Sequence, residues 1–169
     1  INSISFPRLF ARIKVYLCLA VTSMHFEAHG NIDFFVGDSC VINRPNESFN
    51  QEGVKLLFET FFKRLKTKKI TSWMLFEFLG GNAFPTPDAM AELTSCYKSS
   101  RELGCVKVAA VCGTTAQCIF LEQVAEKANM AISFYSTEEE ALTANQDFLP
   151  ANFSISDLSW LKGVKSPEG

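Results

Sequence analysis

Cys112 closes the apolar run "CVKVAAVCG" (105–113) just ahead of a helix start, where a helix dipole would favour a thiolate nucleophile. No general base can be paired with it from sequence, and a buried, inert thiol is the plainer reading. Glu77 is a carboxylate inside "SWMLFEFL" (72–79), so it either has a pKa perturbed by burial or faces a partly solvated side of a sheet. His25 and His29 would share one face of a strand, but no further residue completes a metal ligand set. The cysteines at 18, 40, 96, 105, 112 and 118 lie mostly in strand-like or helical patterns. Cys112-x5-Cys118 matches no zinc signature, so they read as reduced core residues of a cytoplasmic protein rather than as a disulfide framework. With no G-x-S-x-G elbow, the expectation is a non-enzymatic protein without metal or cofactor.

The stretch "LFEFLGGNAFPTPDAMAEL" (75–93) joins an apolar strand to a helix start. Gly80 and Gly81 could let the backbone approach a ligand. There is no G-x-G-x-x-G fingerprint and no P-loop lysine, so a turn needing positive φ accounts for them with less. Thr86 is placed to cap the helix, with Pro87 at its first position and Asp88 in its first turn.

The elements that must hold these residues can be read from periodicity. "HFEAHG" and "IDFFVGDSCVIN" read as an opening hairpin, joined near Gly30–Asn31 or interrupted at Gly37–Asp38. Asn50 is placed to cap a helix whose apolar face is Val54, Leu57, Phe58, Phe61, Phe62 and Leu65, with Phe49 stapling onto Val54. Residues 72–79 form a strand buried on both faces. A helix from Thr86 to Gly104 follows, then the strand 105–113. Thr114 caps the next helix with Gln117 three residues on; "MAISFYS" (130–136) is the last strand. Ser136 with Glu139, or Thr137 with Glu140, opens a short closing helix that ends near Leu149.

The order β-β-α-β-α-β-α-β-α predicts an α/β fold: a mixed, mostly parallel sheet of four or five strands with about four helices. Strand-to-helix loops then gather at the carboxyl edge, which brings together 43–49, 79–86, 113–115 and 135–137. The candidate site residues are accordingly Asn50, Gly80, Gly81, Asn82, Thr86, Asp88, Thr114 and Thr115.

Composition narrows the partners. The 169 residues carry 16 Lys+Arg against 18 Asp+Glu, so no broad cationic face awaits nucleic acid. The basic run "KRLKTKK" (63–69) falls at a helix end, where cations complement the dipole. In residues 1–23, Arg8, Arg12 and Lys14 precede an apolar run too short to span a bilayer, which weakly imitates a signal peptide. This segment reads as an extension before a domain of residues 24–149, with an additional strand or an amphipathic anchor as alternatives. The tail, 150–169, carries Leu158, Trp160 and Leu161 to dock on the domain, a second copy or a partner.

"FNQEGV" (49–54), "FPTPDAMAEL" (84–93), "ELGCVKVAAV" (102–111) and "FYSTEEEAL" (134–142) fall in the order of the N-E-E-G, T-P-E-A, R-G-x-x-x-x-A and F-x-x-E-E-E-A patterns. In this the chain resembles the STAS-like, SpoIIAA-like family of small bacterial proteins, over about residues 24–149. The resemblance implies the fold of anti-sigma-factor antagonists, some of which switch partners when a serine or threonine at the second helix start is phosphorylated. "GGNAFPTPDA" departs from their D-S-S-G pattern and leaves Thr86 as the one candidate phosphoacceptor. Two functions follow: a regulatory or interaction module acting through the loop edge on a protein partner or a second copy, or a binder of a small apolar ligand or lipid. The second would use a pocket of Phe58, Phe61, Phe62, Phe76 and Phe84. A cavity between the first helix and the sheet separates the two.

Overall fold

The computed structural model describes residues 11–13, 28, 32–151 and 153. His25, His29, the stretch "HFEAHG" apart from Ala28, and Leu158, Trp160 and Leu161 lie outside them. Strands β1 (Ala11–Ile13), β2 (Ile32–Val36), β3 (Cys40–Pro45), β4 (Trp73–Leu79), β5 (Cys105–Cys112) and β6 (Ile132–Tyr135) form one six-stranded sheet in chain order. Pairs β1–β2 and β2–β3 are antiparallel; β3–β4, β4–β5 and β5–β6 are parallel. The sheet has one strand beyond the expected four or five, and β1 lies within the first 23 residues. The β2–β3 turn is at Gly37–Ser39, where Gly37 N–H donates to the Cys40 carbonyl at 2.8 Å.

Three crossovers, α1 (Gln51–Lys68), α2 (Ala89–Glu102) and α3 (Thr115–Ala128), each step one strand in the same direction. Crossovers of one hand stepping one way must lie on one face, and all three helices pack there. The short α4 (Glu138–Thr143) and the 3₁₀ turn Gln146–Phe148 follow β6, and α4 packs on the opposite face.

Strand β4 is buried along its whole length, so its alternating side chains define two cores. Trp73, Leu75 and Leu79 meet Phe58, Phe61, Leu93 and Leu121 under the three helices. Met74, Phe76 and Phe78 meet Ile42, Ala109, Ala141 and Leu142 on the back, with Phe148, Leu149 and Phe153 packed against them.

Local punctuation explains the helix limits. Asn50 Oδ1 accepts the Gly53 N–H at 2.9 Å, and Thr114 and Gln117 form a reciprocal capping box. Of the two boxes open for α4, neither closes fully: Thr137 caps the helix by accepting the Glu140 N–H at 3.1 Å, but the Glu140 carboxylate accepts from the Ser136 N–H at 2.9 Å instead of from Thr137. The basic end of α1 is used structurally: Lys68 Nζ bonds the Val36 and Gly37 carbonyls and the Asp38 carboxylate, at 3.3, 3.4 and 3.2 Å. Gly104 follows α2 with φ +92°, and a Cβ there would lie 2.0 Å from the Thr71 carbonyl oxygen, so only glycine fits. Among the described residues no helix is long and apolar enough to cross a membrane.

Candidate functional site

The carboxyl ends of β3, β4 and β5 carry a loop edge whose parts are stitched together. Thr86 donates its N–H and its hydroxyl to the Phe49 carbonyl, at 2.8 and 3.1 Å, beside an isolated parallel bridge between Phe49 and Pro85. Ser48 Oγ donates to the Asn82 carbonyl at 3.4 Å. Gln117, fully buried, donates to the carbonyls of Gly80 and Ala83 at 2.7 and 2.8 Å and accepts from the Thr114 N–H at 3.0 Å. Residues 46–50, 80–86 and 113–117 therefore form one edge, with Gly81, Asn82, Asp88, Thr114 and Thr115 exposed on it.

Two sequence expectations for this edge need correction. Gly80 and Gly81 do not have positive φ; Gly104 is the positive-φ glycine among the described residues. Their neighbourhood instead needs closeness: a Cβ on Gly113 would lie 3.0 Å from the Gly81 backbone, while a Cβ on Gly81 would meet nothing within 4 Å. Thr86 is not the cap of α2. The helix begins at Ala89, Asp88 holds the capping position without a side-chain cap bond, and the Thr86 hydroxyl reaches back to Phe49. The Asp88 carboxyl is held below its ordinary pKa by the Thr86 hydroxyl first, then by backbone N–H groups that include that of Gln51.

Beneath the edge, between α1 and the sheet, lies a partly open cavity of about 50 Å³. Ile32, Phe49, Val54, Leu57, Phe58, Leu79, Leu93, Phe120 and Leu121 give it apolar walls, and Asn43 and Glu77 add polar groups. Pro45, Leu57 and Pro85 are its half-buried lining residues and mark where it nears the surface.

Of the phenylalanines expected to form a pocket, only Phe58 lines the cavity. Phe61 and Phe62 pack around Phe58 and Trp73, with ring centroids 4.5 to 6.3 Å apart. Phe76 projects to the other face of the sheet, because it is one residue out of phase with Leu75 and Glu77. Phe84 is 39 % exposed and rests against Phe120, its centroid 5.5 Å away.

Glu77 is the carboxylate that sequence singled out, and it is buried, not on a solvated side of the sheet. Tyr97 Oη donates to Glu77 Oε2 at 2.5 Å and Asn43 Nδ2 donates to Oε1 at 3.2 Å. Burial pushes the Glu77 carboxyl above its ordinary pKa, and the two hydrogen bonds pull it partly back. Desolvation also raises Tyr97 well above its ordinary value, so it acts as a hydroxyl donor. Asn43 and Tyr97 were missed as site residues: the pairing of Asn43 with Glu77 is a β3–β4 register fact, and Tyr97 reads as one more apolar helix position. An uncharged polar side chain closing a hydrophobic strand is the signal that would have drawn attention to Asn43.

Four of the described cysteines are biased toward the neutral thiol. Burial pushes Cys40, Cys96 and Cys105 up to about 12 and also raises Cys112. Among the described residues no cluster of three or more metal-ligating side chains occurs.

No protein-family model and no curated protein matches this sequence. Among solved structures, the chain is similar to an uncharacterised protein of the DUF3478 family with a SpoIIAA-like fold from Shewanella loihica PV-4. The TM-score is 0.53 at 9 % identity, over 72 % of this chain and 98 % of the other. The fold is SpoIIAA-like, as the order of the sequence motifs implies.

Proposed function

We propose that this chain is a non-enzymatic binding module that takes a small, largely apolar molecule into the cavity between α1 and the sheet, polar end toward Asn43 and Glu77. One observation carries the reading: an apolar cavity under the carboxyl edge of a parallel sheet has a convergent buried polar pair among its lining residues. Burial biases Cys112 toward its neutral thiol, which supports binding over thiolate catalysis. The five described cysteines are free, in keeping with a reducing, cytoplasmic setting.

A second reading keeps the loop edge as a docking surface for a protein partner, and the exposure of Phe84 beside Gly81 and Asn82 favours it. The two are compatible, since Phe49, Ala83 and Pro85 belong both to the edge and to the cavity wall.

Native mass spectrometry of the purified protein at low collision energy tests the ligand reading. The expected result is an adduct that dissociates as a small molecule and is lost in Leu57→Trp, which fills the half-buried side of the cavity. A clean apo mass for the wild-type chain, unchanged after incubation with small apolar compounds, would leave only the docking reading.

A further inference from the structure

Asn43 and Glu77 are registered partners on β3 and β4, and both line the cavity. With its amide nitrogen engaged by Glu77, Asn43 keeps a carbonyl oxygen, Oδ1, that has no hydrogen-bond partner although the residue is only 1 % exposed. Buried acceptors are nearly always satisfied, so an orphan beside a cavity calls for a donor. Charge points the same way. The lining contains Glu77 and no Lys, Arg or His. Groups close enough to interact electrostatically with Glu77 are Tyr97 and Cys96 on α2 and Cys105 and Cys112 on β5, all kept neutral by raised pKa values. With donors but no counter-charge, the buried Glu77 carboxyl is biased toward its protonated form, and a bound cation would favour the carboxylate instead.

We infer that the cavity is a site for a small protonated aliphatic amine, whose ammonium donates to Asn43 Oδ1 and Glu77 while its hydrocarbon part lies against the apolar wall. The inference rests on the ligand-binding reading and names the chemical class of the ligand. An ammonium offers three donors and no acceptor, so one group can serve both oxygens. An alcohol offers one donor and no charge, and an ionised carboxylate offers the two oxygens no donor at all. Size limits the rest. The cavity of about 50 Å³ is well below the roughly 150 Å³ that encloses benzene, so the buried part is a short chain.

The test compares propylammonium, propanol and propionate, at matched ionic strength and neutral pH, by amide chemical-shift titration of the full chain. Propylammonium is expected to bind about tenfold more tightly than propanol, and propionate not at all, with the shifts centred on Asn43, Leu57 and Glu77. In Glu77→Gln the amine should fall to the level of the alcohol. Should that variant fail to fold, the ranking of the three compounds on the wild-type chain decides by itself. Propanol binding as well as the amine at the same residues would overturn the amine assignment and leave the cavity a ligand site. If none of the three binds and the purified protein has a clean mass, both readings fall.

Discussion

Strand β4 belongs to two cores, and they differ. Its odd-numbered residues look toward three helices, and its even-numbered ones toward α4 and the 3₁₀ turn. The back core is built from apolar side chains, whereas the buried polar residues Asn43, Asn50, Glu77, Thr94, Ser100 and Gln117 all lie on the helical side. Gln117 and Asn50 serve caps and loops there, and Glu77, which lines the cavity with Asn43, accepts hydrogen bonds from Asn43 and Tyr97. The contrast teaches that burial alone does not mark a site. A costly polar group retained in one of two equally buried faces of the same strand is the stronger ground for proposing one.

The largest expected effect is on the back. Phe76→Ala removes a fully buried ring and should lower the unfolding free energy by about 3–5 kcal/mol, measured in urea, without altering which ligands the folded chain binds. If ligand binding is lost in the folded variant, the two faces are not independent.

Next comes Glu77→Met, which leaves the Tyr97 hydroxyl and the Asn43 amide without their acceptor and should cost about 1–3 kcal/mol. Adding Tyr97→Phe and Asn43→Leu should recover most of that stability while abolishing binding, as expected when a polar cluster is kept for function rather than for the fold. A triple variant no more stable than Glu77→Met would assign the cluster a structural role.

Glu77 also predicts a pH dependence. Its folded-state pKa lies above the ordinary 4.5, so the folded chain retains a proton that the unfolded chain releases. Its contribution to stability is therefore fully present below about pH 4.5 and declines as pH rises through the folded-state value. Glu77→Gln should remove that decline from a series of urea melts.

The smallest effect is at the loop edge. Thr86→Ala removes the hydroxyl shared by the Phe49 carbonyl, which keeps the Thr86 N–H, and the exposed Asp88 carboxylate, and should cost about 0.5–1.5 kcal/mol. A larger loss would mean that Thr86 contributes as more than a tie between two loops.

Much of the fold was legible because it is written locally. Asn50, Thr114 with Gln117, and Thr137 announce helix starts through side chains that reach only three residues ahead, and the unbroken apolar run 73–79 announces a central strand. The loop edge followed from the order of elements. Strand β1 was obscured by the basic residues around it, which make Ala11–Ile13 look like part of a leader. The site was legible only in Glu77. Its partners come from β3 and α2, 34 and 20 residues away, and depend on register and helix rotation that no local pattern records. The phenylalanine pocket failed for a related reason: Phe58 and Phe76 are similar in type, but a period of two sends Phe76 through the sheet.

The central claim is that the helical face holds a cavity a ligand can enter and that the back face is closed packing. Xenon under pressure, followed through amide chemical shifts, tests it without assuming any ligand chemistry. Saturable shifts at Val54, Glu77, Ala83 and Leu93, with Ile42, Met74, Phe76 and Ala109 unmoved, are the predicted result. Shifts spread equally over both faces, or none on the helical face, would contradict the account.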